Sequence, residues 1–453
     1  MKKILISLLI IFFFVGIRVA CAQDNTKKIR KLTLDDGIKI ALENNTYIKR
    51  ELEKLKARDE EVKEAFADFL PKFSASYSYT RLSDEPFVNA NDNGNSFNWD
   101  IGERNKFEWD IKVTQPLFTG FALKSQHELS KTGVEIEKMV IDQTVLEIIK
   151  EVKVGYFRIL LAQKYLKVSK EAVLQLKSHA DDAEKFYQQG MIPLNDLLKS
   201  KVALSDAIQK EVKAESDVRL AISAFNTILR LDINEDLDVV DILDFESFNS
   251  KLDETIKIAL KQRPELKALN FTLEGAYHSI KLAKSRYYPQ FTLVGDLRRT
   301  GEDADISEND YGNSHQESIM LMMNWPFFEW GKTRAGVAKY KYERRALYEE
   351  LKGIEDKIKF EVKKAYLDLK VAQKNIETAS QSLDQAKENY RITDLQYKQQ
   401  MTTSTEVLDA RTLLTQAQVN YYNALYGYNI AYAELKRAMG EKDMYDSEAK
   451  PLS

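Results

Sequence analysis

"YQQGMIPLNDLLKSK", Tyr187 to Lys201, and "YKQQMTTSTEVLDAR", Tyr397 to Arg411, are one phrase written twice, 210 positions apart. Each lies between two long stretches of helical periodicity and reads as a sharp reversal of the chain. Working outward, "EVKVGYFRILLAQKYL" (151–166) meets "EVKKAYLDLKVAQKNI" (361–376) at the same offset. "TQPLFTGFAL" meets "NWPFFEWGKTR", with Pro116 over Pro326. Further upstream the offset becomes 218: "FLPKFSASYSY" meets "YYPQFTLVGDL", Pro71 over Pro289, and "LDDGIKIALENN" (34–45) meets "LDETIKIALKQR" (252–263). The difference of eight residues falls between the paired prolines. The chain therefore reads as a duplication with one loop longer in its first copy.

Each copy repeats the same parts. A helical segment, "ALENNTYIKRELEKLKARDEEVKEAFADF" in the first copy, runs up to Pro71, and its equivalent runs up to Pro289. Two strands follow. In "KFSASYSYTRL", Phe73, Ala75, Tyr77 and Tyr79 alternate with Ser74, Ser76, Ser78 and Thr80. In "KFEWDIKVTQ", Phe107, Trp109, Ile111 and Val113 alternate with Glu108, Asp110, Lys112 and Thr114. Period-two alternation marks strands with one apolar and one polar face. The second copy offers "QFTLVGDLRR" and the more uniformly apolar "ESIMLMMNWP". Polar, turn-rich sequence separates the strands of each pair. A long helix is then expected, its seam running through Val134, Ile141, Val145, Ile148, Val152, Tyr156 and Ile159 and on through Leu166, Val173, Leu176, Ala180, Ala183 and Tyr187. In the second copy it runs through Ile354, Ile358, Val362, Tyr366, Leu369, Gln373, Ile376, Ser380, Leu383, Tyr390 and Tyr397. At 1.5 Å per residue such a helix reaches roughly 100 Å.

The chain has 453 residues and begins "MKKILISLLIIFFFVGIRVACAQDN". Two lysines, an apolar run and the small residues of "ACA" read as a secretory signal, with cleavage expected before Gln23. Arg18 stands where a lipoprotein signal wants an aliphatic residue, which disfavours lipidation of Cys21. That cysteine is the chain's only one, so the mature protein is expected to hold no disulfide, thiolate metal site or cysteine nucleophile. Removing Lys2, Lys3 and Arg18 takes the formal net charge from −3 to −6, which gives no general attraction for nucleic acid. No run of 18 apolar residues follows, so an α-helical membrane span is excluded. Strands of about 9–11 residues can cross a bilayer, but only in a closed barrel. Four strands cannot close one. Eight from two chains would be filled by their own side chains, whereas twelve from three chains leave a lumen. Transmembrane strands thus imply a trimer or larger. Pro71, Pro116, Pro289 and Pro326, half of the chain's eight prolines, are expected at the barrel–helix junctions.

The order of these parts resembles the TolC-like outer-membrane efflux proteins. The resemblance rests on the two "LDxxIKIAL" openings, "FLP" and "YYP" before the strands, "QPLFTGF" and "WPFFEWGK" after them, and the two turn phrases. It covers about Leu32 to Gly440. It implies an α+β membrane protein: a homotrimeric twelve-stranded β-barrel, four strands per chain, continued by a long α-helical periplasmic barrel. Residues 1–22 would be the signal peptide. Residues 23–233 would be the first repeat, with its β-hairpin at about 72–115, and 234–250 an equatorial linker. Residues 251–440 would be the second repeat, with its hairpin at about 290–325, and 441–453 the tail. It further implies a passive exit duct in outer-membrane lipid, working with a periplasmic adaptor and an inner-membrane transporter.

The candidate sites carry ordinary readings as well. Thr403-Ser404-Thr405-Glu406 fits a T-x-x-E capping box, and Asp409, one turn on, fits a solvated face. Under the resemblance both acids narrow the tube's mouth in a closed state. Asp196 matches Glu406, but Lys199 matches Asp409, so the ring would come from the second copy. Crowded carboxylates raise one another's pKa and favour cations. Gly190, Met191, Ile192 and Pro193, with Gln400, Met401 and Thr402, read as helix–helix connections, and under the resemblance as the adaptor-docking tips. Gln400 stands where that family has glycine. "EWGKTRAG" lacks the first glycine of a phosphate-binding loop, since Pro326 occupies it. His127, His179, His278 and His315 are scattered and form no H-E-x-x-H motif, so no enzyme and no cofactor or metal site is expected. The rival is a secreted coiled-coil scaffold without a pore, its apparent strands being loops.

Overall fold

The computed structural model describes residues 30–92, 95–242, 248–306 and 314–442. The expected signal peptide, nearly all of the expected tail and the middles of both strand-connecting loops lie outside the described residues. Strand β1 (Arg30–Leu32) leads into α1 (Leu34–Asn44). Thr33 caps α1, its hydroxyl accepting from the Asp36 amide at 3.2 Å while the Asp36 carboxylate accepts from Thr33. The single helix expected here is two. Asn45 stops α1 and caps α2 (Thr46–Ala67), its side-chain oxygen accepting from the amides of Tyr47 (2.8 Å) and Ile48 (3.4 Å). An asparagine that satisfies orphan amides at a helix start competes with helix continuation, and here it wins.

Next come β2 (Lys72–Arg81), a hairpin of β3 (Phe87–Asp92) and β4 (Asn95–Asp100), and β5 (Asn105–Phe118). The small hairpin lies in what reads from sequence as loop. Helices α3 (Ala122–Gln188) and α4 (Leu194–Leu229) follow, then β6 (Leu237–Val239), α5 (Leu252–Gln262) and α6 (Pro264–Lys284). The chain ends with β7 (Gln290–Gly301), β8 (His315–Asn324), α7 (Lys332–Lys398) and α8 (Ser404–Met439). Both α3 and α7 have 67 residues, about 100 Å at 1.5 Å per residue. Both α4 and α8 have 36.

Strands β2, β5, β7 and β8 form one antiparallel sheet in that order. Its register puts Phe73, Tyr77, Trp109, Ile111, Leu297 and Ile319 on one face. Ser74, Ser76, Glu108, Asp110, Asp296 and Arg298 share the other. The apolar face is open: Phe73 is 74% exposed and Ile319 84%. On the polar face Arg298 lies 3.4 Å from Glu108 and 3.7 Å from Asp110. Pro71 and Pro289 immediately precede β2 and β7, and Pro326 comes two residues after β8. Pro116 departs from the expectation: it lies inside β5, opposite Thr292, beside a bulge before Phe118. Pairing with β2 has already ended at Thr114, so Pro116 occupies a free edge, where a residue lacking N–H is tolerated.

The core sits at mid-height, where α3, α4 and α1 meet around Val152, Tyr156, Ile159, Phe225 and Leu32, all at most 1% exposed. A second cluster joins α7 and α8 through Ile358, Val362, Leu369, Tyr428 and Leu435. Towards the far end it thins to Leu383, Leu414 and Ala417. In α3 the seam is buried at Val134, Ile148, Val152, Tyr156, Ile159, Ala180 and Ala183, and in α7 at Ile358, Val362, Leu369, Ile376, Leu383 and Tyr397. Ile141, Val145, Leu166, Val173 and Leu176, with Ile354, Tyr366, Gln373, Ser380 and Tyr390, are only half-buried, and Tyr187 is 39% exposed while its counterpart Tyr397 is 3%. Ion pairs tie the elements at the same height. Arg263 reaches Glu265 and Glu361 at 2.9 Å, and Arg437 bridges Glu147 (3.0 Å) and Glu361.

A short parallel pairing of β1 with β6 belts this core, and Tyr156 fastens it. Its hydroxyl donates to Val240 O at 2.6 Å and lies 3.2 Å from Leu32 O, and burial pushes its pKa up to about 12. Tyr156→Phe strands Val240 O, while Leu32 O keeps the Val240 amide at 3.1 Å, and the change is expected to cost about 1–3 kcal/mol. The check is a lowered unfolding midpoint, with faster amide exchange at residues 30–32 and 237–240.

Candidate functional site

The two chain reversals meet at the end farthest from the sheet. Their backbones bond alike: Gly190 N to Tyr187 O (2.9 Å) and Met191 N to Phe186 O (2.9 Å), against Gln400 N to Tyr397 O (2.8 Å) and Met401 N to Gln396 O (2.8 Å). Both turns need a left-handed residue. Glycine supplies it at Gly190 (φ 71°), whereas Gln400 (φ 60°) is strained there by about 1–2 kcal/mol. The Gln400 side chain donates to Met191 Sδ at 2.7 Å, so the tips touch. Met191 and Met401 are 52% and 71% exposed.

Asp196 lies on the first turn of α4, and Lys199 sits 3.5 Å from it. The same ammonium reaches Thr405 Oγ1 on α8 at 3.4 Å. The first-copy acid is thus partly neutralised beside the start of α8. Thr403 caps α8 by accepting from Glu406 N at 3.4 Å, but only this half of the expected capping box forms. The carboxylates of Glu406 and Asp409 are exposed, with no hydrogen bond or ion pair among the described residues. Two uncommitted carboxylates one turn apart on a helix face suit a charged rim.

Beneath them lies a polar knot. His179 Nε2 is 2.8 Å from Ser404 Oγ, which is 3.0 Å from Ser200 Oγ; all three residues are at most 2% exposed. The Tyr397 ring packs on His179 at 4.6 Å. Hydrogen bonds therefore join α3, α4 and α8 just inside the tips, and α7 closes the cluster by the ring contact of Tyr397. Further in, Arg411 is 2% exposed, and its guanidinium makes no hydrogen bond among the described residues. It lies 5.8 Å from the centre of the Tyr390 ring, while nearby Glu171 is held by Gln418 at 3.1 Å. Burial pulls the Arg411 pKa down, though arginine stays charged. Neither His179 nor Arg411 stands out from residue type. Their spacing gives them away: Arg411 is four residues past buried Val407 and three before buried Leu414, and His179 lies three past the seam position Leu176 and four before buried Ala183.

A sheet with one open apolar face, carried on helices about 100 Å long that end in adjoining polar turns, is the build of an outer-membrane exit duct. The chain belongs to the outer membrane efflux protein family, whose model matches residues 37–229 and 255–441. The outer membrane protein TolC of Salmonella enteritidis is 20% identical over 401 residues, 85% of this chain and 77% of that protein. Among solved structures, the CmeC outer membrane channel of Campylobacter jejuni matches with a TM-score of 0.76 at 21% identity, covering 90% of this chain and 85% of that one. The MtrE outer membrane channel of Neisseria gonorrhoeae, in its open state, matches with a TM-score of 0.73 at 18% identity, covering 90% and 89%. The protein resides in the outer membrane and extends into the periplasm.

Burial holds the His179 pKa below the usual 6.5; Asp394 and Asp182 oppose the shift and Lys398 adds to it. The unfolded chain takes up a proton below about pH 6.5 that the folded tip refuses, so stability present above that pH is lost as pH falls. The protection of amides at the tips of α3 and α8, taken relative to their intrinsic exchange rates, is expected to fall between pH 7 and 5, and His179→Gln to flatten that dependence. For Arg411, a hydrophobe of similar length removes an unpaired buried charge. Arg411→Met is expected to raise the unfolding midpoint, by about 1 kcal/mol or more of stability, in thermal denaturation of the detergent-solubilised protein.

Proposed function

We propose that three copies of the chain close a single passive duct. Each contributes four strands to a twelve-stranded barrel, and the helices continue it as a tube across the periplasm. The observation that carries this reading is the sheet itself, with one apolar exposed face, one charged face, and two edges, β2 and β8, each with a neighbour on one side only. Hydrocarbon accepts the first face, a water-filled lumen the second, and only pairing with further copies removes the edges. A secreted scaffold would instead leave Phe73, Tyr77, Ile319 and Leu321 in water. Helices of equal length recurring 210 positions apart support two repeats, 23–233 and 251–440, joined by a linker at 234–250. The signal peptide is residues 1–22 and the tail 441–453.

In this reading the duct catalyses nothing and uses no cofactor. An inner-membrane transporter of a tripartite efflux or type I secretion system delivers the substrate. A periplasmic adaptor docks on the touching tips, Gly190 to Pro193 and Gln400 to Thr402. Glu406 and Asp409 of each copy make a rim of six carboxylates, with Asp196 and its Lys199 behind it. Opening is an outward untwisting of the α7–α8 hairpin, which parts these rings. Replacing both Glu406 and Asp409 with Ala is expected to raise single-channel conductance several-fold and weaken cation preference in planar bilayers. Unchanged conductance would remove both residues from the constriction.

A further inference from the structure

We propose that Trp330 docks against the end of α2, at Ala67 and Leu70, of the next copy of this chain, and so forms a joint unlike the one inside each chain. The inference rests on the trimer proposed above and names the surface that closes it.

Within the chain, the start of α3 meets the end of α6 almost backbone to backbone. A Cβ on Gly120 would fall 2.4 Å from Ser285 O and 3.0 Å from Tyr288 Cβ, so no side chain fits there. Aromatic rings surround the contact: Phe118 and Phe121 lie edge-on to Tyr288 at 6.5 and 5.7 Å, and Phe118 is 6.5 Å from Phe291. The duplication supplies every part of this joint a second time. The offset of 210 carries Phe118 to Phe328 and Gly120 to Trp330. The offset of 218 carries Ser285 to Ala67, Tyr288 to Leu70 and Phe291 to Phe73.

These second parts do not meet in the chain. Phe328 (65% exposed) and Trp330 (90%) follow edge strand β8; Leu70 (49%) and Phe73 (74%) flank the start of the other edge strand, β2. A contact whose two halves sit at opposite edges of one chain is completed by another copy, head to tail. The receiving half even keeps its shape: Leu70 N bonds Ala67 O at 3.0 Å, as Tyr288 N bonds Ser285 O at 3.1 Å.

The other half has changed. Positions 120 and 121 are both left-handed (φ 63° and 70°), and so are 330 and 331 (51° and 81°), but the glycine has moved from first to second place. Trp330 thus holds a strained conformation exactly where the inner joint has no room for a Cβ. A docking identical to the inner one would drive its Cβ onto Ala67 O. The seam between copies must therefore be wider, with the indole filling the gap between the start of α7 and the neighbour's α2. Three tight joints and three wide ones then alternate around the ring.

The test uses the full chain with Trp330→Cys and Leu70→Cys combined, since no other cysteine follows Cys21. Oxidation in outer membranes is expected to give reductant-sensitive covalent dimers and trimers, with none from either single variant. In parallel, Trp330 is kept as the sole tryptophan by replacing Trp99, Trp109 and Trp325 with Phe. Its emission is expected to resist quenching in phosphatidylethanolamine–phosphatidylglycerol vesicles carrying brominated acyl chains. An intact oligomer without the cross-link, in which those chains quench Trp330, overturns the inference in favour of a lipid-facing indole and leaves the trimer standing. Absence of any oligomer in detergent overturns both.

Discussion

A sheet edge cannot face hydrocarbon, and this chain carries a sheet with two. In water an unpaired strand edge finds hydrogen-bond partners in the solvent, but inside a bilayer each orphan amide or carbonyl costs several kcal/mol. That constraint orders the rest. In the proposed trimer it makes β2 and β8 neighbours across copies, and it fixes the sense in which the apolar face turns. It also accounts for the placement of the awkward residues. Pro116 sits where β5 has lost a partner, and the bulge beside it ends the ladder. In the proposed duct that closure is passed on to helices that hold few apolar contacts of their own near the tip.

That thinning of the core gives the far end its character. Near Tyr156 the helices are clamped by aromatic packing, the β1–β6 belt and the Arg263–Glu361–Arg437–Glu147 network. Near residue 400 the packing rests on a few apolar contacts, a histidine–serine knot and an unpaired buried guanidinium. Stability is therefore graded along the long helices, lowest near Glu406 and Asp409. Elements that must move are drawn from the less stable parts of a fold, and the gradient here points at the end that carries the proposed constriction.

The long helices and strands are legible in the sequence because duplication doubles every signal and because periods of two and near 3.6 are unambiguous over such lengths. What escapes is decided by single side chains. Asn45 ends a helix whose periodicity runs on, since one side-chain oxygen outbids continuation for two amides. The β3–β4 hairpin is built from Asn-rich sequence with weak alternation. Arg411 and His179 lie on buried helix faces where polarity suggests surface, and only their spacing from buried neighbours reveals that they face inward. Glu406 and Asp409 are readable as a pair, but the missing half of the Glu406 capping box is a matter of rotamer, which spacing does not encode.

The matched lengths of α3 and α7, and of α4 and α8, have a consequence for how such a chain can vary over time. An extra heptad in the lower part of α3 alone would carry one tip past the other and break the contact between Gln400 and Met191. The same insertion would have to appear in α4, α7 and α8 together to keep the tips level. Length in the surface loops is free to drift, as the eight extra residues of the first hairpin illustrate. Length in the tube is heritable only as a set of four.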